Sequence, residues 1–253
     1  MLHAEVHDRV LVLTLDRPDA RNAIDSTMAE ALESAIDRLE ADDDLRCGVL
    51  THTGPVFSAG ADLKAIARQG VRGIVTERGG FAGLCRRDRA KPLIVALEGA
   101  AVGGGFEMVL ACDVVIATTA VEFAVPEVQR GMVALSGGTF RLARAVGRAV
   151  ALDLVMTGDR LGAVRAAQLG LVSRLVEPGQ ARAEAVRVAQ RIGANAPVAV
   201  REARQITLAA FNQTDDELWD LAEAAQARIF ATEDAKEGPR AFAEKRSPRW
   251  LGR

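Results

Sequence analysis

The chain has 253 residues, 49% of them hydrophobic, which fits one large domain or a domain with an appendage and allows a sizeable core. Its formal charge is −2 with acids and bases interspersed, which excludes the basic footprint of a nucleic-acid binder. The N-terminal "MLHAEVHDRVLVLTLDRP" carries charge where a signal peptide needs its apolar segment, and no uncharged apolar run reaches membrane-spanning length. A soluble, unprocessed, cytoplasmic protein with no membrane partner is expected.

"VLVLTLDRP" reads as a strand ended by a turn, and "STMAEALESAIDRLEADD" as a helix with Met28, Leu32, Ala35, Ile36 and Leu39 on one face and Ser26 as its N-cap. Strand "CGVLT" (47–51) follows, then a glycine-containing loop and a helix start at "DLKAIAR". Residues 70–90, with five glycines and many arginines in no clear period, are expected to form a mobile, loop-rich wall. Strand "LIVAL" (93–97), a glycine-led helix, strand "DVVIAT" (113–118) and strand "LVSRLV" (171–176) come next. This alternation predicts an α/β fold with much parallel pairing. From about residue 180 the pattern is nearly all helical, and Leu218, Leu221, Ala222, Ala225 and Ile229 share a face that could pack on another subunit or on its own domain.

Cys47, Cys85 and Cys112 are far apart and odd in number, which argues against a disulfide framework and a thiolate metal site and leaves them as buried or incidental thiols. "ALSGG" lacks the first glycine of a nucleophile elbow, since Ala134 stands there, and none of His3, His7 or His52 is placed as its base.

The most informative stretch is "EGAAVGGGFEMVLACD" (98–113). Glycines let a group approach the backbone, and the first amides of a helix are unsatisfied donors, so the stretch can form an anion site or an oxyanion hole. Taken alone, tight packing against a neighbouring strand explains it as well. A second glycine-bearing loop, "PVFSAGADLK" (55–64), offers amides at Ala59 and Gly60, and "EFAVPEVQRG" places Glu127 directly after Pro126.

These segments, together with "LDRPDARNAI", "KPLIVALEGAAVGGGFE", "GGTFRLARAVG", "MTGDRLGAVRAAQLGLV" and "EDAKEGPRAFAEKR", resemble the enoyl-CoA hydratase (crotonase) superfamily over nearly the whole chain. The "GGFE", "VPE" and "AFAEKR" segments are closest in flavour to the subgroup with carnitinyl-CoA dehydratase and many bacterial enoyl-CoA hydratases. The resemblance implies a ClpP-like superhelix of repeated ββα units over residues 1–195 and a helical oligomerisation region over 196–253 that builds homotrimers or dimers of trimers. It implies an acyl-CoA thioester substrate, with no metal and no cofactor. Carried over residue by residue, it makes Glu107 and Glu127 the catalytic acid/base pair and the amides of Ala59 and Gly104 the oxyanion hole. The substrate would lie along Ala20, Arg21, Ala59, Gly60, Ala61, Asp62, Leu63 and Gly103.

Two glutamates suit hydration, because water must lose a proton at one carbon while its neighbour gains one. One departure concerns Ala134, Leu135 and Ser136, which stand where many hydratases have Pro-Gly-Ala. Leu135 therefore puts a bulky side chain at a glycine position of the substrate site. The expected activity is enoyl-CoA hydration; a double-bond isomerase, another acyl-CoA dehydratase and a silent acyl-CoA-binding scaffold are the alternatives.

Overall fold

Leu2–His7 (β1) and Val10–Leu15 (β2) form an antiparallel hairpin that opens the fold in a computed structural model describing residues 1–70 and 73–253. Every residue of β2, Cys47–His52 (β3) and Leu93–Leu97 (β7) is buried. That is the signature of parallel strands covered on both faces, and with Val114–Thr118 (β9) and Arg174–Val176 (β12) they make a six-stranded sheet in the order β1-β2-β3-β7-β9-β12.

The first helix, Ser26–Ala41 (α1), buries Met28, Ala29, Leu32, Ala35, Ile36 and Leu39, the face its period predicts. Its N-cap is Asp25 and not Ser26: the Asp25 carboxylate accepts from the Met28 amide at 2.9 Å, and Ser26 is the first helical residue. Aspartate displaces serine here because Asp25 alone has the extended backbone that an N-cap needs.

A two-strand-then-helix unit repeats three times. In the first, β3 leads to Val56–Ser58 (β4) and Leu63–Gln69 (α2). In the second, after the short pair Val75–Thr76 (β5) and Gly80–Phe81 (β6), β7 leads to Ala100–Val102 (β8) and Gly104–Leu110 (α3). In the third, β9 leads to Glu122–Ala124 (β10), a 3-10 helix at Pro126–Arg130, and Gly138–Val146 (α4). The first strand of each unit joins the six-stranded sheet. The second joins a smaller sheet ordered β11-β10-β8-β4, where β11 is Arg160–Gly162, beyond Arg148–Thr157 (α5). This is the superhelical ββα architecture that the resemblance implies.

Residues 73–90 are packed more tightly than a loose wall. Phe81, Ala82, Leu84 and Cys85 are buried, and Glu33 of α1 accepts from Thr76 Oγ1 at 2.7 Å and the Gly79 amide at 3.0 Å. A Cβ on Gly83 would stand 2.5 Å from the Ala29 carbonyl, so the glycines here serve close approach to α1. Val71 and Arg72, also in that expected wall, lie outside the described residues.

Ala163–Gln168 (α6) precedes β12, and Ala181–Gly193 (α7) then lays Ala181, Ala185, Val188 and Ala189 on Val10, Val12, Val49, Ile94 and Ile116 of the large sheet. Its alanines let the helix axis approach the strands. Pro197–Ala209 (α8), Asp215–Phe230 (α9) and Asp234–Ala243 (α10) complete the chain. On α9, Ala225 is buried and Leu218, Leu221, Ala222 and Ile229 are half-buried, while Trp219 and Phe230 are exposed. The C-terminal tail is tied down by Asp234, which accepts from the Leu251 and Gly252 amides at 2.6 and 2.9 Å.

Candidate active site

The three glycines before Glu107 answer to three different neighbours. Gly103 is the residue before α3 and has φ 57° and ψ −128°, a conformation that L side chains rarely adopt; a Cβ there would also stand 3.2 Å from Glu127 Oε1. At Gly104 a Cβ would enter the Phe81 ring, 2.5 Å from its nearest carbon. At Gly105 it would lie 2.3 Å from the Ser58 carbonyl oxygen. Packing and site geometry thus demand the same tripeptide.

The first two units meet at this corner. A Cβ on Gly60, where φ is 84°, would stand 2.8 Å from the Gly104 amide nitrogen, so the backbone leading into α2 lies against the start of α3. Asn22, fully buried, fixes the approach: its side chain donates to the Thr53 and Val56 carbonyls at 2.9 and 2.8 Å and accepts from the Arg17 amide at 2.7 Å. Ser58 Oγ donates to the Asn22 carbonyl at 2.8 Å and accepts from the Gly60 amide at 3.1 Å. Asp62 caps α2 through the Lys64 and Ala65 amides and pairs with Arg17 at 2.9 Å.

This zipper corrects one expectation. The Ala59 amide donates to the Arg21 carbonyl at 3.0 Å and is therefore spent inside the fold. Gly60 is likewise engaged. Among the described residues, the amides of Ala61 and Gly104 have no acceptor in the chain. The same bond sets Ala20 and Arg21, at the end of the 3-10 helix Pro18–Ala20, beside the 59–63 loop, with Arg21 and Leu63 exposed at its rim.

Glu107 is only 4% exposed. Its Oε1 accepts from the Ser136 amide at 2.6 Å and the Gly138 amide at 2.9 Å, so the turn before α4 cradles it. Burial pushes its carboxyl above the usual range, while the two amides and the Arg141 charge act the other way. Glu127, carried by the 3-10 helix that Pro126 starts, is half-buried, and its Oε2 is buried with no hydrogen-bond partner. Burial pushes Glu127 up, the nearby Glu107 adds to the rise, and its own amide and Arg130 oppose it.

Sequence reasoning places Glu107, Glu127, Gly103 and Gly104 together, and the structure does the same. It also shows donors that sequence reasoning missed, the Ser136 and Gly138 amides, whose only trace in the sequence is the "SGG" before α4. Leu135 contributes backbone to this turn; its side chain is 82% exposed. The cysteines are unpaired and buried or half-buried, with burial pushing Cys47 and Cys112 up to about 12.

The profile of the enoyl-CoA hydratase/isomerase family matches residues 5–253. The chain belongs to that family. It is an enzyme of the enoyl-CoA hydratase type, with the crotonase fold of its solved relatives. It is 39% identical over 258 aligned residues to a carnitinyl-CoA dehydratase of Proteus mirabilis, covering 100% of this chain and 98% of that protein. To an enoyl-CoA hydratase of Mycobacterium tuberculosis it is 36% identical, covering 98% of this chain and 96% of the other. A crystal structure of an enoyl-CoA hydratase from the same organism superposes with a TM-score of 0.96 at 41% identity, covering 100% and 99% of the two chains. Among the described residues of this family member, no helix is long and apolar enough to cross a membrane.

Proposed function

We propose that the protein adds water reversibly across the 2,3 double bond of an enoyl-CoA thioester, with Glu107 as base and Glu127 as acid. The observation that carries this reading is the unequal environment of the two carboxylates. Glu107 accepts two amide N–H bonds, which favour an ionised oxygen. Glu127 has one oxygen buried without any donor, which suits a carboxyl that carries the proton, and burial with the nearby Glu107 charge pushes it up.

In the hydration direction a water O–H bond breaks and its proton passes to Glu107, while the oxygen bonds to Cβ. The displaced electron pair moves through Cα onto the thioester oxygen. Glu127 then gives its proton to Cα, leaving the pair to exchange one proton with solvent before the next cycle. The oxygen that gathers charge would sit between the amides of Ala61 and Gly104; losing such a donor typically costs about a hundredfold to a thousandfold in rate. The CoA moiety would run along Ala20, Arg21 and the 59–63 loop. This chemistry requires no metal or redox cofactor.

The similarity to a carnitinyl-CoA dehydratase supports a second reading in which the same groups work in reverse on a hydroxyacyl-CoA. Phe211 in the turn after α8, Trp219 and Phe230 on α9 and Phe242 on α10, between 58% and 87% exposed, support self-association of residues 196–253 into a trimer or a pair of trimers. Three unpaired cysteines fit a reducing cytoplasm.

The test is a panel of enoyl-CoA and hydroxyacyl-CoA thioesters followed by enoyl absorbance and mass. Gain of water that disappears in Glu107→Gln and Glu127→Gln supports hydration. A shifted double bond at constant mass makes the protein an isomerase, and binding without turnover makes it a scaffold.

A further inference from the structure

Arg141 lies on the far side of the turn that holds Glu107. Its backbone amide donates to the Gly137 carbonyl at 2.9 Å, and its side chain folds back so that Nη1 reaches the Ser136 carbonyl at 3.5 Å. Gly137 has φ 114°, and a Cβ there would collide with this guanidinium, 2.7 Å from Nη1 and 3.2 Å from Cζ. Arg141 is half-buried and has no carboxylate within 4 Å among the described residues. Successive peptides of the turn thus alternate in direction: the Ser136 N–H points to Glu107, the Ser136 carbonyl to Arg141, and the Gly138 N–H back to Glu107.

We propose that Arg141 is a positioning residue for Glu107, bracing the Ser136–Gly138 backbone from the side opposite the carboxylate so that both N–H groups stay aimed at Oε1. The groups that face Glu107 electrostatically are Arg141 from α4, Glu127 from the 3-10 helix, and the neutral Cys85 thiol from the 81–86 segment. Arg141 is the one cation among them. Its removal lets the raised carboxyl rise further, so less of Glu107 is ionised at a given pH.

The inference rests on Glu107 acting as the base in the proposed reaction, and the test separates the two. Carboxyl carbons of glutamate are labelled with carbon-13 and titrated by NMR in the wild type, Arg141→Met and Arg141→Lys, with Glu107→Gln to assign the resonance. Steady-state kinetics on the active enoyl-CoA are measured across the same pH range. In Arg141→Met the Glu107 midpoint and the acidic limb of kcat/KM should both move up by about half to one pH unit. There kcat should fall about tenfold with KM within about twofold, and Arg141→Lys should lie between. An unmoved midpoint and limb, with loss of melting temperature alone, would overturn the proposal. If no thioester is turned over by the wild type but the midpoint still moves, the hydration reading falls and the positioning role stands. Should Arg141→Met fail to fold, Arg141→Lys decides: wild-type kcat and limb overturn the proposal, and a reduced kcat with a raised limb supports it.

Discussion

Glu107 in the first turn of α3 and Asp113 just past its end are both largely buried, yet they titrate in opposite directions. Glu107 faces two amides and a cation outside contact range, and burial holds its carboxyl above the usual range. Asp113 accepts from Arg89 at 3.0 Å, from Arg204 at 2.9 Å and from the Leu93 amide at 2.8 Å, and these hold it below that range despite burial. Burial alone therefore does not decide a carboxylate's state; guanidinium contact does. One end of the helix is left able to exchange a proton, while the other ties the start of β7 to α8 through Arg204.

The largest effect expected is on activity. Glu107→Gln and Glu127→Gln should each lower kcat/KM roughly a hundredfold to ten-thousandfold. The stability sign follows from the raised carboxyl. The contribution of Glu107 is most favourable while it is protonated, and is lost as pH rises from the unfolded value through the higher folded one. Urea unfolding at neutral pH should thus show Glu107→Gln no less stable than the wild type; a clear loss would break the contrast with Asp113.

Asp113→Asn should do the reverse. It leaves Arg89, whose side chain is 2% exposed, without its charge partner, at a cost of about 3–5 kcal/mol, with turnover per folded molecule retained. Because the Asp113 carboxyl is depressed, the wild type keeps its contribution above the unfolded value and loses it as pH falls through the lower folded one. Acid unfolding of the wild type should show a component below about pH 4 that is missing in the variant.

Gly138→Ala probes the cradle while keeping both carboxylates in the chain. The new Cβ would stand 2.6 Å from Ala134 Cβ and 3.1 Å from Glu107 Oε1, so the turn must shift. A fall of about tenfold in kcat, with a melting temperature lowered by only a few degrees, is the expected result. The smallest effect belongs to Leu135→Ala, whose exposed side chain should carry within about 0.5 kcal/mol of stability. A change in acyl-chain preference among enoyl-CoA substrates would show that Leu135 borders the substrate.

The face of α1 and the buried strands were legible because they rest on local period and on runs of apolar residues; the ββα repeat came with the family resemblance, since its second strands, β4, β8 and β10, are three residues each and have no such run. Glu107, Glu127 and Gly104 were legible because each sits in a short stretch with its glycine or proline beside it. Which amide of "SAGAD" remains unpaired was not: it depends on Arg21 and Asn22, far back in the chain. Asp25 in place of Ser26 as N-cap turned on the extended backbone at Asp25 and the Met28 amide that its carboxylate reaches. Residues 73–90 carry glycines that resemble loop punctuation until Ala29 and Glu33 stand against them.

Gly60 and Ala61 enter α2, Gly103 and Gly104 enter α3, and Glu127 with Gly138 leads into α4. Each unit thus brings its strand-to-helix corner against the next, and the constellation is a row of three corners on a common frame. On the proposed reading, the acid/base groups of such a frame could be exchanged while the amides of Ala61 and Gly104 continued to hold the thioester oxygen.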